Sequence, residues 1–370
     1  MRSRREGKRL AYTAVDTESG PHPGAGATAG AADVFAALDL GTNNCRLLIA
    51  RPVADGFQVI DAFSRIVRLG EGLGRSGRLS EAAMARTVQA LRICAGKVRQ
   101  RGVTRTRAVA TEACRRASNC GDFLALVEQE TGLAFEIISN DEEAALAIRG
   151  CTPLFEPHAS HALVFDIGGG STEVSWMKAP APDKPDNGHG ADAAPELGGW
   201  HSIPIGVVTL AETYGGRRVT PRLYETMIED VTAALAPFEA ESQLCKLVAD
   251  GQLQMVGTSG TVTTLAGVHQ KLPRYDRSRI DGCYLDFETV RRISRHIASM
   301  SYQRRAAHPC IGRDRADLVI AGCAILEAVC GTWPVGRLRV ADRGLREGIL
   351  MNMMASIGES VNATSRPASV

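Results

Sequence analysis

LVFDIGGGSTEVSW, residues 163–176, is the stretch that decides the fold. LVFDI (163–167) has the length and apolar content of a buried strand. Asp166 lies near its end, three glycines and Ser171 make a turn, and a second apolar run follows. The same form occurs earlier in AALDLGTNNCRLLIA, residues 36–50. There Asp39-Leu40-Gly41-Thr42-Asn43-Asn44 takes the place of Asp166-Ile167-Gly168-Gly169-Gly170-Ser171, 127 residues upstream. That interval is about one domain, so the echo implies duplication: two similar α/β domains, each presenting one strand–turn–strand loop.

The turns are also where chemistry is expected. Consecutive glycines leave backbone N–H groups unshielded and permit positive φ, and neighbouring N–H groups aimed into one concavity form an anion nest. Ser171 and Thr172 add hydroxyls. Asp166 before the turn and Glu173 after it are placed to hold a hydrated Mg²⁺ beside phosphate oxygens. Gly41, Thr42, Asn43 and Asn44 form a second, plainer nest, with Arg46 two residues on. A hairpin turn with no ligand remains the alternative for both.

Ser139-Asn140-Asp141-Glu142-Glu143 opens a helix. Ser139 and Glu142 fit a capping box, which explains Glu142 structurally. Glu143 has no such explanation, and a first-turn carboxylate beside a phosphate nest can take a proton from water. Gly257-Thr258-Ser259-Gly260-Thr261 stands between a strand (254–257) and an apolar helical run, the usual place of an anion platform in α/β folds. It has no P-loop lysine. Lys97, Arg99, Arg101, Arg105, Arg107, Arg115 and Arg116 face only Glu112 in that span, a candidate track for a polyanion or simply solvated element ends. No aromatic residues interleave them, which disfavours single-stranded nucleic acid.

Around these motifs the chain reads as alternating elements. Helices are expected over 80–101, capped by Ser80, and near 286–300, 314–330 and 345–357. Strands are expected at 107–111, 135–138 and 337–341. Residues 1–33 read as a disordered basic tail, 34–155 as the first domain and 156–357 as the second. The Pro- and Gly-rich stretch 178–199 reads as a mobile insertion, and 358–370 as a frayed end.

Composition sets the outer limits. In 370 residues, 44% are hydrophobic and 23% charged, enough for real cores. The net charge of +2 excludes a generic polyanion binder. No apolar run reaches the ~18–20 residues of a membrane span. Ten cysteines without CxxC or zinc spacing suggest free thiols and a cytoplasmic location.

Together these segments resemble the exopolyphosphatase and guanosine pentaphosphate phosphatase family. The matching stretches are AALDLGTNNCRLLIA, RIVRLGEGLGRSGRLSEAAMART, ATEACRRASN, EIISNDEEAALAIRG, LVFDIGGGSTEVSW, IPIGVVTLAETYG, VGTSGTVTTLAG, RADLVIAGCAILE and GLREGIL, in order over residues 36–350. The resemblance implies two actin-like ATPase (ribonuclease H-like) α/β domains with an active cleft between them. It implies Glu143 as the base that activates water and Asp166 and Glu173 as Mg²⁺ ligands. Gly41, Thr42, Asn43 and Asn44, with Gly168, Gly169, Gly170 and Ser171, would cradle phosphates from opposite sides, and Arg68 would bind phosphate near the cleft. The implied reaction is attack of water on the terminal phosphate of inorganic polyphosphate, with short to medium chains expected because no C-terminal HD-type domain follows GLREGIL. Guanosine pentaphosphate (pppGpp) is the alternative substrate. A non-catalytic polyphosphate or alarmone sensor and a kinase-like or chaperone-like ATPase are further alternatives. A homodimer is compatible with the family; membrane and nucleic acid are not expected partners. Ser259 departs from the family's usual GTGGT turn and is expected to crowd a bound group.

Overall fold

The computed structural model describes residues 33–54, 56–156, 159–178 and 196–364, with side chains to residue 356. The expected tail, Asp33 excepted, lies outside the described residues, as do most of the expected insertion and residues 365–370. The first half contains β1 (Phe35–Leu40), β2 (Asn44–Val53), β3 (Gly56–Ile66), α1 (Leu73–Ser76), α2 (Glu81–Gln100), β4 (Arg105–Ala110), α3 (Glu112–Arg116), α4 (Cys120–Thr131), β5 (Glu136–Ile137) and α5 (Asn140–Cys151). The second contains β6 (His161–Ile167), β7 (Thr172–Lys178), β8 (Glu196–Ile203), α6 (Val207–Tyr214), α7 (Pro221–Ser242), α8 (Leu244–Ala249), β9 (Leu253–Thr258), α9 (Gly260–His269), α10 (Arg277–Ile280), β10 (Tyr284–Asp286), α11 (Phe287–Ser299), α12 (Tyr302–Ala307), α13 (Val319–Thr332), β11 (Arg337–Ala341) and α14 (Leu345–Thr364).

The two sheets repeat one plan. The first runs β3-β2-β1-β4-β5. Its first three strands are antiparallel, and β4 lies parallel to β1. The second runs β8-β7-β6-β9-β11-β10, with β6, β7 and β8 antiparallel and β9 parallel to β6. The duplication read from the two Asp–Gly turns is therefore real, and the architecture is the expected two-domain actin-like α/β fold. FAALDL is buried at every position, as a central strand covered on both faces should be.

The ends of several elements differ from the sequence reading. Lys178 is the last residue of β7, and Glu196 to Gly199 begin β8, so the expected insertion is bounded by strands on both sides. The closing helix passes Ile357 and continues to Thr364, where a frayed end was expected. Its side chains do not join the second sheet, as a second domain ending at 357 required. Leu345, Ile349 and Leu350 pack with Phe35, Ala37 and Leu48 of the first sheet. The apolar face that α14 presents is complementary to β1 and β2, and sequence proximity does not override that burial.

α5 and α14 are the two connections between the halves, and they touch backbone to backbone. A Cβ on Gly348 would lie 1.9 Å from the Leu146 carbonyl oxygen, and one on Gly150 would lie 2.0 Å from that of Gly344. In an open helix, Gly→Ala gains about 1 kcal/mol from propensity. Here the methyl has nowhere to go, and overpacking costs about 1–3 kcal/mol or more. Gly348→Ala is expected to lower the thermal midpoint by at least about 3 °C, whereas Gly96→Ala in α2, with no atom within 4 Å of the new methyl, raises it. Calorimetry of the pair checks the claim; a stabilised Gly348→Ala contradicts it.

Candidate active site

The two glycine turns close in the same way. Gly41 N–H donates to the Asn44 carbonyl at 2.9 Å, and Gly168 N–H donates to that of Ser171 at 2.9 Å. They meet across the gap between the sheets. A Cβ on Gly169 would lie 3.0 Å from both Thr42 and Asn43, and one on Gly170 would lie 2.8 Å from the Thr42 hydroxyl. None of Gly41, Gly168, Gly169 or Gly170 has positive φ. The positive φ that glycine permits is not used, and close approach is what requires glycine at 169 and 170. The Gly168 and Gly169 carbonyls accept from Val207 and Val208 N–H at the start of α6 (3.0 and 2.8 Å). Among the described residues nothing accepts from the N–H groups of Gly169 and Gly170, so they remain available to an anion.

A 410 Å³ cavity lies against both turns. It is lined by Gly41, Thr42, Asn43, Asn44, Gly168, Gly169, Gly170 and Ser171, and by Asp39, Glu143, Asp166 and Glu173. These candidate residues, proposed from separate motifs, share one space. Strand register places the acids: Asp39 is opposite Arg46 on β2, and Asp166 is opposite Glu173 on β7. Ser171 and Ser202 both donate to Glu173 Oε1, the latter at 3.0 Å. Burial pushes the Asp166 carboxyl up to about 6, with Asp39 adding to the rise and Arg46 opposing it. Burial raises Asp39 as well. The Asn43 side-chain oxygen is buried without a partner. The acceptors here are all oxygens, the donor chemistry of a hard divalent cation.

Ser139 caps α5, accepting from Glu142 N–H at 3.2 Å. Only half of the expected box is made, because the Glu142 carboxylate is drawn away to Arg107. Glu143 turns into the cavity. Burial raises its carboxyl well above the usual range, the Glu173 charge adds to this, and Arg115 opposes it.

Several charges fall elsewhere than expected. Arg68 does not line this cavity. It reaches across to the second domain and donates to both oxygens of Asp317 at 2.9 Å, a bidentate pair that already uses its fork. Gly72 N–H donates to Glu212 at 2.8 Å beside it. The 97–116 run is largely neutralised: Lys97 and Arg101 pair with Asp61, Arg107 with Glu136 and Glu142, and Arg115 with Glu112 and Glu143. These pairs leave little free charge for a polyanion track there, and Arg115 is drawn in against the site rather than solvated at an element end.

Sequence reasoning missed the arginines on the far side. Arg277, Arg315, Arg343 and Arg346 line the cavity with Arg46. Arg277 pairs with Glu347 at 2.7 Å and Arg343 with Asp281. No ion pair among the described residues uses Arg46, Arg315 or Arg346. Arg315 donates to Thr264 at 3.1 Å and lies over Gly260. Its loop is held by Arg305, 1% exposed, which donates to the carbonyls of Met300, Gly216, Arg217 and Ala316. Arg277 and Arg346 begin or lie near the start of helices, and Arg315 and Arg343 lie between elements. Periodicity marks none of them, although Arg315 and Arg346 fall within the stretches RADLVIAGCAILE and GLREGIL. Ser259 adopts φ 125°, a region that is nearly glycine-only. Its hydroxyl accepts from Thr261 and Val262 N–H (3.2 and 3.4 Å), turned onto α9.

Two α/β halves with facing glycine turns, and four carboxylates and five arginines lining one cavity, define a phosphate-handling enzyme of the two-domain kind. The match that places it more closely is to the Ppx/GppA phosphatase family, over residues 48–357. The chain belongs to that family and is a phosphatase of its type. Among solved structures, the Aquifex aeolicus member of the Ppx/GppA family is 28% identical, over 88% of this chain and 98% of that one, with a TM-score of 0.68. An exopolyphosphatase-like protein is 27% identical over 87% and 98%, with a TM-score of 0.75. An exopolyphosphatase from Cytophaga hutchinsonii shares the fold at 23% identity over 88% and 98%, with a TM-score of 0.75. Among the described residues no helix is long and apolar enough to cross a membrane.

The acids give the site a pH signature. Burial lifts Glu173 from an ordinary 4.5 to about 7; Asp166 adds to the rise, while Ser171, Ser202 and Arg115 oppose it. A carboxyl raised on folding binds its proton more tightly in the folded state. Its contribution to stability is full below the unfolded value near 4.5 and is lost as pH rises through about 7. Without divalent cations, the melting temperature is expected to fall between about pH 5 and 7.5, and Glu173→Gln to flatten the fall. An unchanged slope in that variant contradicts the assignment.

Proposed function

We propose that the protein is a Mg²⁺-dependent exopolyphosphatase that removes the terminal phosphate of short to medium inorganic polyphosphate. The observation that carries this reading is the pair of facing glycine turns with Glu143 and five arginines lining one cavity. A terminal phosphoryl group is seated in the cavity against both turns, its oxygens accepting from the Gly169 and Gly170 N–H groups. Arg46 and Arg315 neutralise the neighbouring phosphates and the charge left on the departing chain. Glu143 takes the proton from the attacking water. The new bond joins water oxygen to phosphorus, the bridging P–O bond breaks, and orthophosphate and a chain shorter by one unit result. Burial and Glu173 make Glu143 more basic than a surface glutamate, and Arg115 opposes the rise; a more basic carboxylate is the better acceptor of water's proton.

Asp166 and Glu173, with Asp39 beside them, are the residues that would hold Mg²⁺. When bound, the ion would neutralise phosphate oxygens and favour in-line attack. Among the described residues no three His, Cys, Asp or Glu side chains form a metal cage; Mg²⁺ commonly takes one or two carboxylates and completes its shell with substrate phosphates and water.

The cavity lining favours an inorganic chain over a nucleotide. It carries five arginines and a single aromatic, Tyr275. A nucleobase needs a flat face, and Tyr275, 47% exposed at the edge, is the one feature that favours pppGpp. Orthophosphate release from medium-chain polyphosphate and from pppGpp in parallel separates the two. The expected result is Mg²⁺-dependent release from polyphosphate, abolished by chelation, with kcat lowered about 10²–10⁴-fold by Glu143→Gln. Release from pppGpp alone transfers the assignment to the nucleotide, and release from neither leaves a sensor. Full activity in Glu143→Gln removes the base assignment.

A further inference from the structure

Arg115 is a partly buried cation that the mechanism above uses only as a background charge. Its side chain is 17% exposed and lies between two carboxylates, Glu143 at 16% and Glu112 at 13%. It lies on α3, a helix of five residues. Its contacts reach past that helix in a fixed pattern. Nη1 donates to Glu143 Oε2 at 2.8 Å and to the Ile138 carbonyl at 2.9 Å. Nε and Nη2 donate to Glu112 Oε2 at 3.3 and 3.1 Å. Ile138 immediately precedes the Ser139 cap, so one guanidinium holds both the entry to α5 and the functional carboxylate in its first turn. Glu112 completes the clamp, and its Cγ would lie 3.0 Å from a Cβ on Gly170. The clamp is thus anchored against the second glycine turn.

The two oxygens of Glu143 are therefore unlike. Oε2 is committed to Arg115, and Oε1 has no hydrogen-bond partner among the described residues. From this geometry we infer that Arg115 is the positioning residue for Glu143, fixing one carboxylate oxygen so that the other faces the reacting phosphate. The inference rests on Glu143 being the base. Only a planar fork can serve the backbone carbonyl and both carboxylates together; lysine supplies the charge without that geometry.

The test measures steady-state release of orthophosphate from polyphosphate with Mg²⁺, alongside thermal melts. Arg115→Met is expected to lower kcat about 10²-fold, the scale of misplacing a reacting group by about 1 Å, with KM changed by less than about twofold. Arg115→Lys is expected to recover part of the loss. Guanidinium ion at low millimolar concentration is expected to raise kcat of Arg115→Ala but not of wild type or Glu143→Gln. Wild-type kcat in Arg115→Met, or a loss confined to KM, overturns the inference. A loss that neither lysine nor guanidinium relieves shows a purely structural clamp and also overturns it. Glu143→Gln separates the two levels. If it is inactive while Arg115→Met is normal, only the positioning role falls. If it is active, or wild type releases nothing, the reading of the base falls and takes this role with it.

Discussion

The backbone contact between α5 and α14 is the constraint on which the rest depends. Two helices that meet at glycine and carbonyl cannot slide without a clash, and both carry site residues. α5 holds Glu143 in its first turn and buries Leu146 with the first sheet, while Ile148 and Cys151 pack against the second. α14 places Glu347 where it accepts from Gly344 N–H at 3.0 Å and from Arg277 at 2.7 Å. The distance from base to phosphate nest is thus set by this close helix packing rather than by loops. Arg68 and Asp317 bridge the halves at a separate place, where a part-exposed ion pair fixes geometry more than it adds stability.

On this frame the duplicated hairpins do unequal work. The same register position opposite the conserved-form aspartate is Arg46 in one and Glu173 in the other. One turn therefore offers an acid and a base, and the other two acids. Bringing them together places four carboxylates, Asp39, Glu143, Asp166 and Glu173, on the lining of one cavity that also carries five arginines. Buried like charges cost free energy without a counterion, and the folded chain retains that cost at the one place where a cation and a polyanion can be accommodated side by side.

Much of this was legible in the sequence. Strand–Asp–Gly turns are local, so Asp39, Asp166 and both nests could be read directly, as could the Ser80 and Ser139 caps, whose hydroxyls accept from the N–H groups of Ala83 and Glu142. The separation of Glu142 from Glu143 also followed from capping. Three things were not legible. Gly169 and Gly170 were read as unshielded N–H donors, but their close approach to Thr42 and Asn43 was not, because nothing in a sequence shows that another turn will lie against them. Arg68 and Arg315 could not be told apart as latch and lining, since the position of Asp317 relative to each depends on tertiary packing. α14 was assigned to its neighbour in sequence, whereas its apolar face matched a partner some three hundred residues away.

That last feature bears on how the chain is made. The cluster of Phe35, Ala37, Leu48, Leu345, Ile349 and Leu350 draws on β1 and β2 and on a helix made some three hundred residues later. The second half, whose core is drawn from residues 163–340, can bury its apolar side chains while α14 is still being synthesised. The first sheet, although translated earlier, keeps one face uncovered until then. Vectorial synthesis and the order of core completion run in opposite directions in this protein. Until α14 is made, the apolar side of β1 and β2 that it covers has to be kept from other partners.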